Sequence, residues 1–254
     1  MSYNLVNIIL QKLLYVLMIM TPVGVIIMLI PELKDKYLWT TNIFLSIQFV
    51  ALLSYMLLNY SGRSVIINLT VLLLSGYFLE LIGVKTSFPF GSYVYTDKLQ
   101  PQILQVPLTI SLSWVVVVTG SFMIVSSLKT LNVFAIVTYS SVLVLAFDLL
   151  LEPFAGFING YWTWTFSFVP IQNYISWFVI AFVFTLFLSK YLVPQSNVIN
   201  KSKVVSYTPL ILYIISISQF SIINIFNSYV LPTVSGIILI IVVLILIYRR
   251  TNEV

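Results

Sequence analysis

Residues 132–153, NVFAIVTYSSVLVLAFDLLLEP, decide how this chain folds. An apolar run of about 20 residues is long enough to cross a hydrocarbon core as a helix. This run closes on two carboxylates, Asp148 and Glu152, and then on Pro153. Four residues apart, the two acids share one face of a helix. The chain has only seven acidic residues, and a third, Glu80, closes another apolar run. An ionisable side chain inside a membrane span is costly and marks function by default. Burial and a neighbouring carboxyl both favour the neutral form of an acid, which is the state a general acid needs.

The rest of the chain agrees with a membrane setting. Of 254 residues, 60% are hydrophobic and 7% charged, and the mean hydropathy is +1.08. Long apolar runs with short polar breaks predict an all-α, polytopic transmembrane helical bundle. The runs lack the two-residue alternation of barrel strands. Residues 1–254 read as one integral membrane domain, with the first run retained as a helix and not a cleaved leader. The net charge of +5 comes from scattered basic residues, a pattern that orients membrane spans and does not bind nucleic acid. With no Cys and no His, thiolate chemistry, histidine-ligated haem and histidine-boxed iron are excluded. A catalytic proton must then come from Asp, Glu, Tyr, Lys or water, and no metal or other cofactor is expected.

Eight spans are predicted, at about residues 13–30, 39–60, 65–82, 106–127, 131–151, 171–192, 207–226 and 231–248. The count falls to seven if the last two merge. Pro107 suits the first turn of the fourth span. An even count puts both termini on one side. That side carries Lys12, Arg63, Lys129, Lys190, Lys201, Lys203, Arg249 and Arg250, against Lys34, Lys36, Lys85 and Lys98 opposite. Basic loops stay inside, so both termini are expected in the cytoplasm and the protein in the cell membrane. The third and fifth spans then end on the outer side, which brings Glu80, Asp148 and Glu152 to one depth beneath the two longest loops.

Those loops are rich in aromatics. The first contains Phe88-Pro89-Phe90-Gly91-Ser92-Tyr93-Val94-Tyr95-Thr96-Asp97, and Asp97-Lys98 reads as a solvated turn pair. The second runs from Gly156 through Tyr161-Trp162-Thr163-Trp164 to Asn173 and Trp177. An interfacial aromatic belt would have this composition; so would a cavity wall. Trp162 and Trp164 share one face of an extended segment, and aromatic faces attract cations. Asn173 can position water or cap a helix start. Nucleotide motifs are absent.

In combination, these pieces resemble the membrane carotenoid-biosynthesis protein family. The resemblance is carried by Glu80, Phe90 to Tyr95, Val106-Pro107 and Trp114. It continues through Asp148, Glu152-Pro153, Gly160 to Trp164, and Val169-Pro170 through Asn173 to Trp177. It covers residues 76–178. The family's usual Gly before each Val-Pro turn is replaced by Gln105 and Phe168. The resemblance implies hydration of a terminal C=C of an acyclic carotenoid such as lycopene, with no redox cofactor. In that reading Asp148 is the acid, with Glu80 and Glu152 as base or water-orienting group. Phe90, Tyr93, Tyr95, Trp114, Trp162, Trp164, Asn173 and Trp177 form the substrate wall.

The substrate is then a lipid-soluble polyene within the bilayer. A homo-oligomer or a complex with other carotenoid enzymes is the expected assembly. A carotene cyclase starts from the same protonated alkene and is the competing enzymatic reading. A non-enzymatic carotenoid or quinone binder would need the aromatic wall without the acids.

Overall fold

The computed structural model describes residues 3–128, 131–195 and 202–252. Its long helices are α1 (Tyr3–Leu29), α3 (Thr40–Asn59) and α4 (Gly62–Thr86), with the short α2 (Pro31–Tyr37) between the first two. Strands β1 (Tyr93–Tyr95), β2 (Gln102–Ile103) and β3 (Val106–Pro107) lead to α5 (Leu108–Ser126). Helix α6 (Val133–Glu152) runs on as a π-helical turn, Pro153–Ile158, and β4 (Trp162–Trp164) follows. Then come α7 (Ile171–Tyr191), the short α8 (Lys203–Ser206), α9 (Thr208–Phe226) and α10 (Val230–Asn252).

The protein is an all-α polytopic helical bundle. Among the described residues, seven helices are long and apolar enough to cross a membrane. Helix α10 is the predicted eighth, and its described apolar part is Val230–Ile245. Residues 227–229 keep α9 and α10 apart. The Asn227 and Tyr229 amides turn back onto the carbonyls of Ile223 and Asn224. Lys129 and Lys201, used to orient the chain, lie outside the described residues.

Local chemistry sets several boundaries. Asn132 accepts a hydrogen bond from the Ala135 amide at 2.8 Å and caps α6, as a side-chain oxygen before a helix does. Pro107 stands just outside α5, not in its first turn. Val106 and Pro107 pair with Ile103 and Gln102 in a small antiparallel ribbon, so the helix starts at Leu108. The third span runs on to Thr86, beyond the expected residue 82, because Ser87 closes it in the left-handed conformation at φ 61°. The first helix begins near Tyr3, ahead of the expected residue 13.

Helix α5 is the axis of the bundle. Most of its length is buried, and it packs on α3, α4, α6, α7 and α9. Helix α7 is peripheral. Ile171, Ile175, Val179, Val183 and Leu186 are exposed along one stripe, the face a helix turns to lipid. Where α10 packs on α6, Gly236 permits the approach: a Cβ there would lie 3.0 Å from the Ala146 carbonyl oxygen and 2.9 Å from Leu150.

Candidate active site

The site forms where α4, α5, α6 and α7 meet the two aromatic loops. Glu80 is buried on α4, on one helical face with Gly76 and Gly83. A Cβ at Gly83 would lie 2.9 Å from both the Phe90 ring and the Tyr93 hydroxyl, and one at Gly76 would lie 3.2 Å from Trp114. The bare positions let aromatic side chains close on Glu80 from both sides. Its Oε2 accepts hydrogen bonds from the hydroxyls of Tyr93 at 2.5 Å and Tyr95 at 2.7 Å. Its Oε1 accepts one from Trp114 Nε1 at 2.9 Å.

The tyrosines come from a ribbon that joins the two loops. Strands β1 and β4 pair antiparallel, with Tyr93 opposite Trp164 and Tyr95 opposite Trp162. Side chains two apart on a strand share a face, so four rings point the same way. The Tyr93 and Trp164 centroids are 5.2 Å apart, and those of Tyr95 and Trp162 are 6.1 Å apart. The tyrosine half of this face serves Glu80; the tryptophan half serves Glu152. Trp162 Nε1 and Trp164 Nε1 donate to Glu152 Oε2 at 3.2 Å and 3.0 Å. The π-helical turn makes room for this. A Cβ at Gly156 would come within 3.0 Å of Trp162 Nε1.

Asn173 links the other acids. Its Nδ2 donates to Asp148 Oδ2 at 2.9 Å and to Glu152 Oε1 at 3.1 Å. The side chain therefore spans two carboxyl groups and does not cap α7. Asp148 is completely buried, and its Oδ1 has no hydrogen-bond partner. Trp114 and Trp177 stack at 4.0 Å between centroids with planes 18° apart, and Phe90 leans on Trp114 at 6.2 Å.

A cavity of about 250 Å³ opens below the ribbon. Glu80, Glu152 and Asn173 are on its wall, together with all four ribbon rings and the Trp114–Trp177 stack. Asp148 is not; it stands behind Asn173. The remaining wall is mostly apolar and comes chiefly from α1, α3, α5, α9, and α6 with its π-helical turn. Burial, followed by the nearby Glu80 charge, pushes the Tyr93 and Tyr95 phenols well above their ordinary range. Both phenols therefore stay protonated and act as donors.

Several supporting residues carry no clear signal in the sequence. The Lys34 and Lys98 ammonium groups donate to the carbonyls of Ile158 at 3.0 Å and Asn159 at 2.6 Å. They close the end of α6, where a helix welcomes cations. Asp97 and Lys98 lie exposed in a turn, as expected, and the Lys98 ammonium also fastens that turn to the second loop. The Tyr161 hydroxyl and Thr41 share a 2.6 Å hydrogen bond that ties that loop to α3. Burial, partly offset by that bond, pushes the Tyr161 phenol up to about 12.

Fold and site together define an integral membrane protein in which the carboxyl groups of Glu80 and Glu152, held by neutral donors, face an apolar cavity. The chain belongs to the carotenoid biosynthesis protein family, whose sequence profile matches residues 40–243. It is also similar to bisanhydrobacterioruberin hydratase of Haloarcula japonica, with 32% identity over 118 residues. That alignment covers 43% of this chain and 39% of the relative, so it spans well under half of either protein. No solved structure matches.

Proposed function

We propose that this protein adds water across a terminal C=C of an acyclic carotenoid within the bilayer. The observation that carries the reading is the placement of Glu80 and Glu152 on one apolar cavity, each held by aromatic N–H or O–H donors. Family membership and the hydratase relative support the same chemistry.

Glu152 is the proton donor in this scheme, since Asp148, the donor suggested by the sequence, is off the cavity wall. Asp148 acts through Asn173. Two carboxyls sharing one amide favour a single negative charge between them, which leaves a proton for Glu152 to deliver. The proton goes to the less substituted alkene carbon, and the tertiary cation faces the rings of Trp114, Tyr95 and Trp162. A water oxygen then bonds to the cation while Glu80 takes the released proton. Glu80 returns that proton to Glu152 through water, so the net change is the addition of one water.

The test is expression in a lycopene-producing host with pigments read by mass spectrometry, in heavy-oxygen water. The expected product is heavier by one water and carries the label. An isomer of unchanged mass would make the protein a cyclase. Loss of product in Glu152→Gln and Glu80→Gln, with polyene binding retained, would support these roles for the two glutamates. An unaltered polyene, bound equally by both variants, would leave a binding protein.

A further inference from the structure

We propose that the cavity has a second pole, formed by Gln48, Ser216 and Gln219, that binds an uncharged O–H group. That group is either a water molecule or a hydroxyl on the lipid-soluble ligand. The proposal rests on reading the cavity as the ligand site, and adds a polar contact on helices that carry none of the three acids.

Gln48 is on α3, and Ser216 and Gln219 are on α9. They are only 2%, 4% and 8% exposed, and all three line the cavity that takes in Glu80 and Glu152. Gln48 Nε2 donates to Ser216 Oγ at 3.0 Å, and Ser216 Oγ donates onward to the Leu212 carbonyl at 3.1 Å. The Ser216 hydrogen is therefore committed, and Gln48 is fixed in place. Gln48 Oε1 and the whole Gln219 carboxamide have no hydrogen-bond partner among the described residues.

Gln219 lies against the one glycine of α1. A Cβ at Gly24 would stand 3.3 Å from Gln219 Nε2, so a larger residue would crowd the amide. Buried polar groups normally find partners, and leaving one unmade is costly. Two carboxamides on a mostly apolar wall therefore suit a partner that comes from outside the chain.

The chemistry of the pole selects its ligand. A carboxamide offers both a donor and an acceptor, and a hydroxyl or water both gives and takes a hydrogen bond. Among the described residues, the only charged side chains on the cavity wall are Glu80 and Glu152. A charged ligand group would have no countercharge at the glutamines, whereas a neutral O–H group needs none.

The test compares wild type with Gln48→Leu and Gln219→Leu in phosphatidylcholine nanodiscs. One readout is quenching of tryptophan fluorescence by lycopene and by its tertiary-alcohol hydrate. The other is hydroxyl-radical labelling, by X-ray radiolysis, of Met28, a buried residue of the same wall. If the ligand supplies the hydroxyl, wild type binds the alcohol about tenfold tighter than the hydrocarbon, and Gln219→Leu binds the two equally. If water fills the pole, the two polyenes bind equally, and Met28 labelling drops severalfold in both variants. Equal binding and equal labelling in all three proteins would overturn the proposal. Gln219→Asn, which keeps the amide but shortens it, controls for misfolding: native-like circular dichroism with partial retention of the signal is expected. Neither readout requires turnover, so failure of the hydration reading would leave this test intact.

Discussion

Removing one hydrogen bond to Glu80 measures how firmly the aromatic donors hold the acid. Trp114→Phe deletes the Nε1 donor that lies 2.9 Å from Glu80 Oε1 and keeps a ring to stack on Trp177 at 4.0 Å. A hydrogen bond to a charged group contributes about 1.5–3 kcal/mol, and a neutral one about 0.5–1.5 kcal/mol. The loss of ring area adds a smaller cost that is independent of Glu80. A double-mutant cycle separates the two. Glu80→Met, similar in length and without an acceptor, removes the bond from the other side. In its background Trp114→Phe should cost only the ring contribution. The coupling expected between the two substitutions is therefore about 1.5–3 kcal/mol if Glu80 is ionised and about 1 kcal/mol if it is neutral. Unfolding in mixed detergent, followed by far-ultraviolet circular dichroism, avoids relying on tryptophan emission. Coupling below about 0.5 kcal/mol, the usual additivity error, would refute the claim that Trp114 supports Glu80.

The other predictions probe the ribbon, the amide bridge and the last helix. Gly83→Ala puts a methyl 2.9 Å from Phe90 and the Tyr93 hydroxyl; it should destabilise by about 1–3 kcal/mol and lower product yield in a carotenoid-producing host. Asn173→Leu leaves Asp148 and Glu152 without their shared donor. A loss of about 2–4 kcal/mol in unfolding free energy is expected, and Asn173→Asp should be no better, because it supplies a third acid. Gly236→Val should detach α10 from α6, since even a Cβ meets the Ala146 carbonyl at 3.0 Å. Faster proteolysis after residue 226, without loss of the α1–α9 bundle, would register it.

What the sequence reveals follows the range of each interaction. The long helices are legible because an apolar run of membrane length has few other solutions. The acids are legible because a carboxylate at the end of such a run is rare. The face shared by Trp162 and Trp164 follows from strand periodicity alone. Their pairing with Tyr95 and Tyr93 does not. Helices α5 and α6 lie between the two strands in the chain, and nothing in either local pattern names the partner. The π-helical turn after Pro153 is equally hidden, since it depends on how Gly156 seats against Trp162. Gln48 and Gln219 read as isolated polar interruptions of apolar spans. Only the packing of α3 and α9 around one cavity brings them to the same wall.

The choice of donors around the acids fits a greasy ligand. A buried carboxylate is usually satisfied by Arg or Lys, but such a pair fixes the acid in its charged form and brings a second charge into the cavity. In this protein the partners of Glu80, Asp148 and Glu152 are two tyrosines, three tryptophans and an asparagine. Each supplies a hydrogen without a charge, and most also present an apolar surface to the cavity. The ammonium groups of Lys34 and Lys98 bond instead to the carbonyls at the end of the α6 segment. Replacing one neutral donor by a cation therefore tests the logic of the arrangement. Trp164→Arg would bring a guanidinium toward Glu152 Oε2, 3.0 Å from the present donor. An ion pair there should hold Glu152 as the carboxylate, stabilise the fold or leave it unchanged, and abolish proton donation. A Trp164→Arg protein that folds and still makes product at the wild-type rate would show that Glu152 does not deliver the proton.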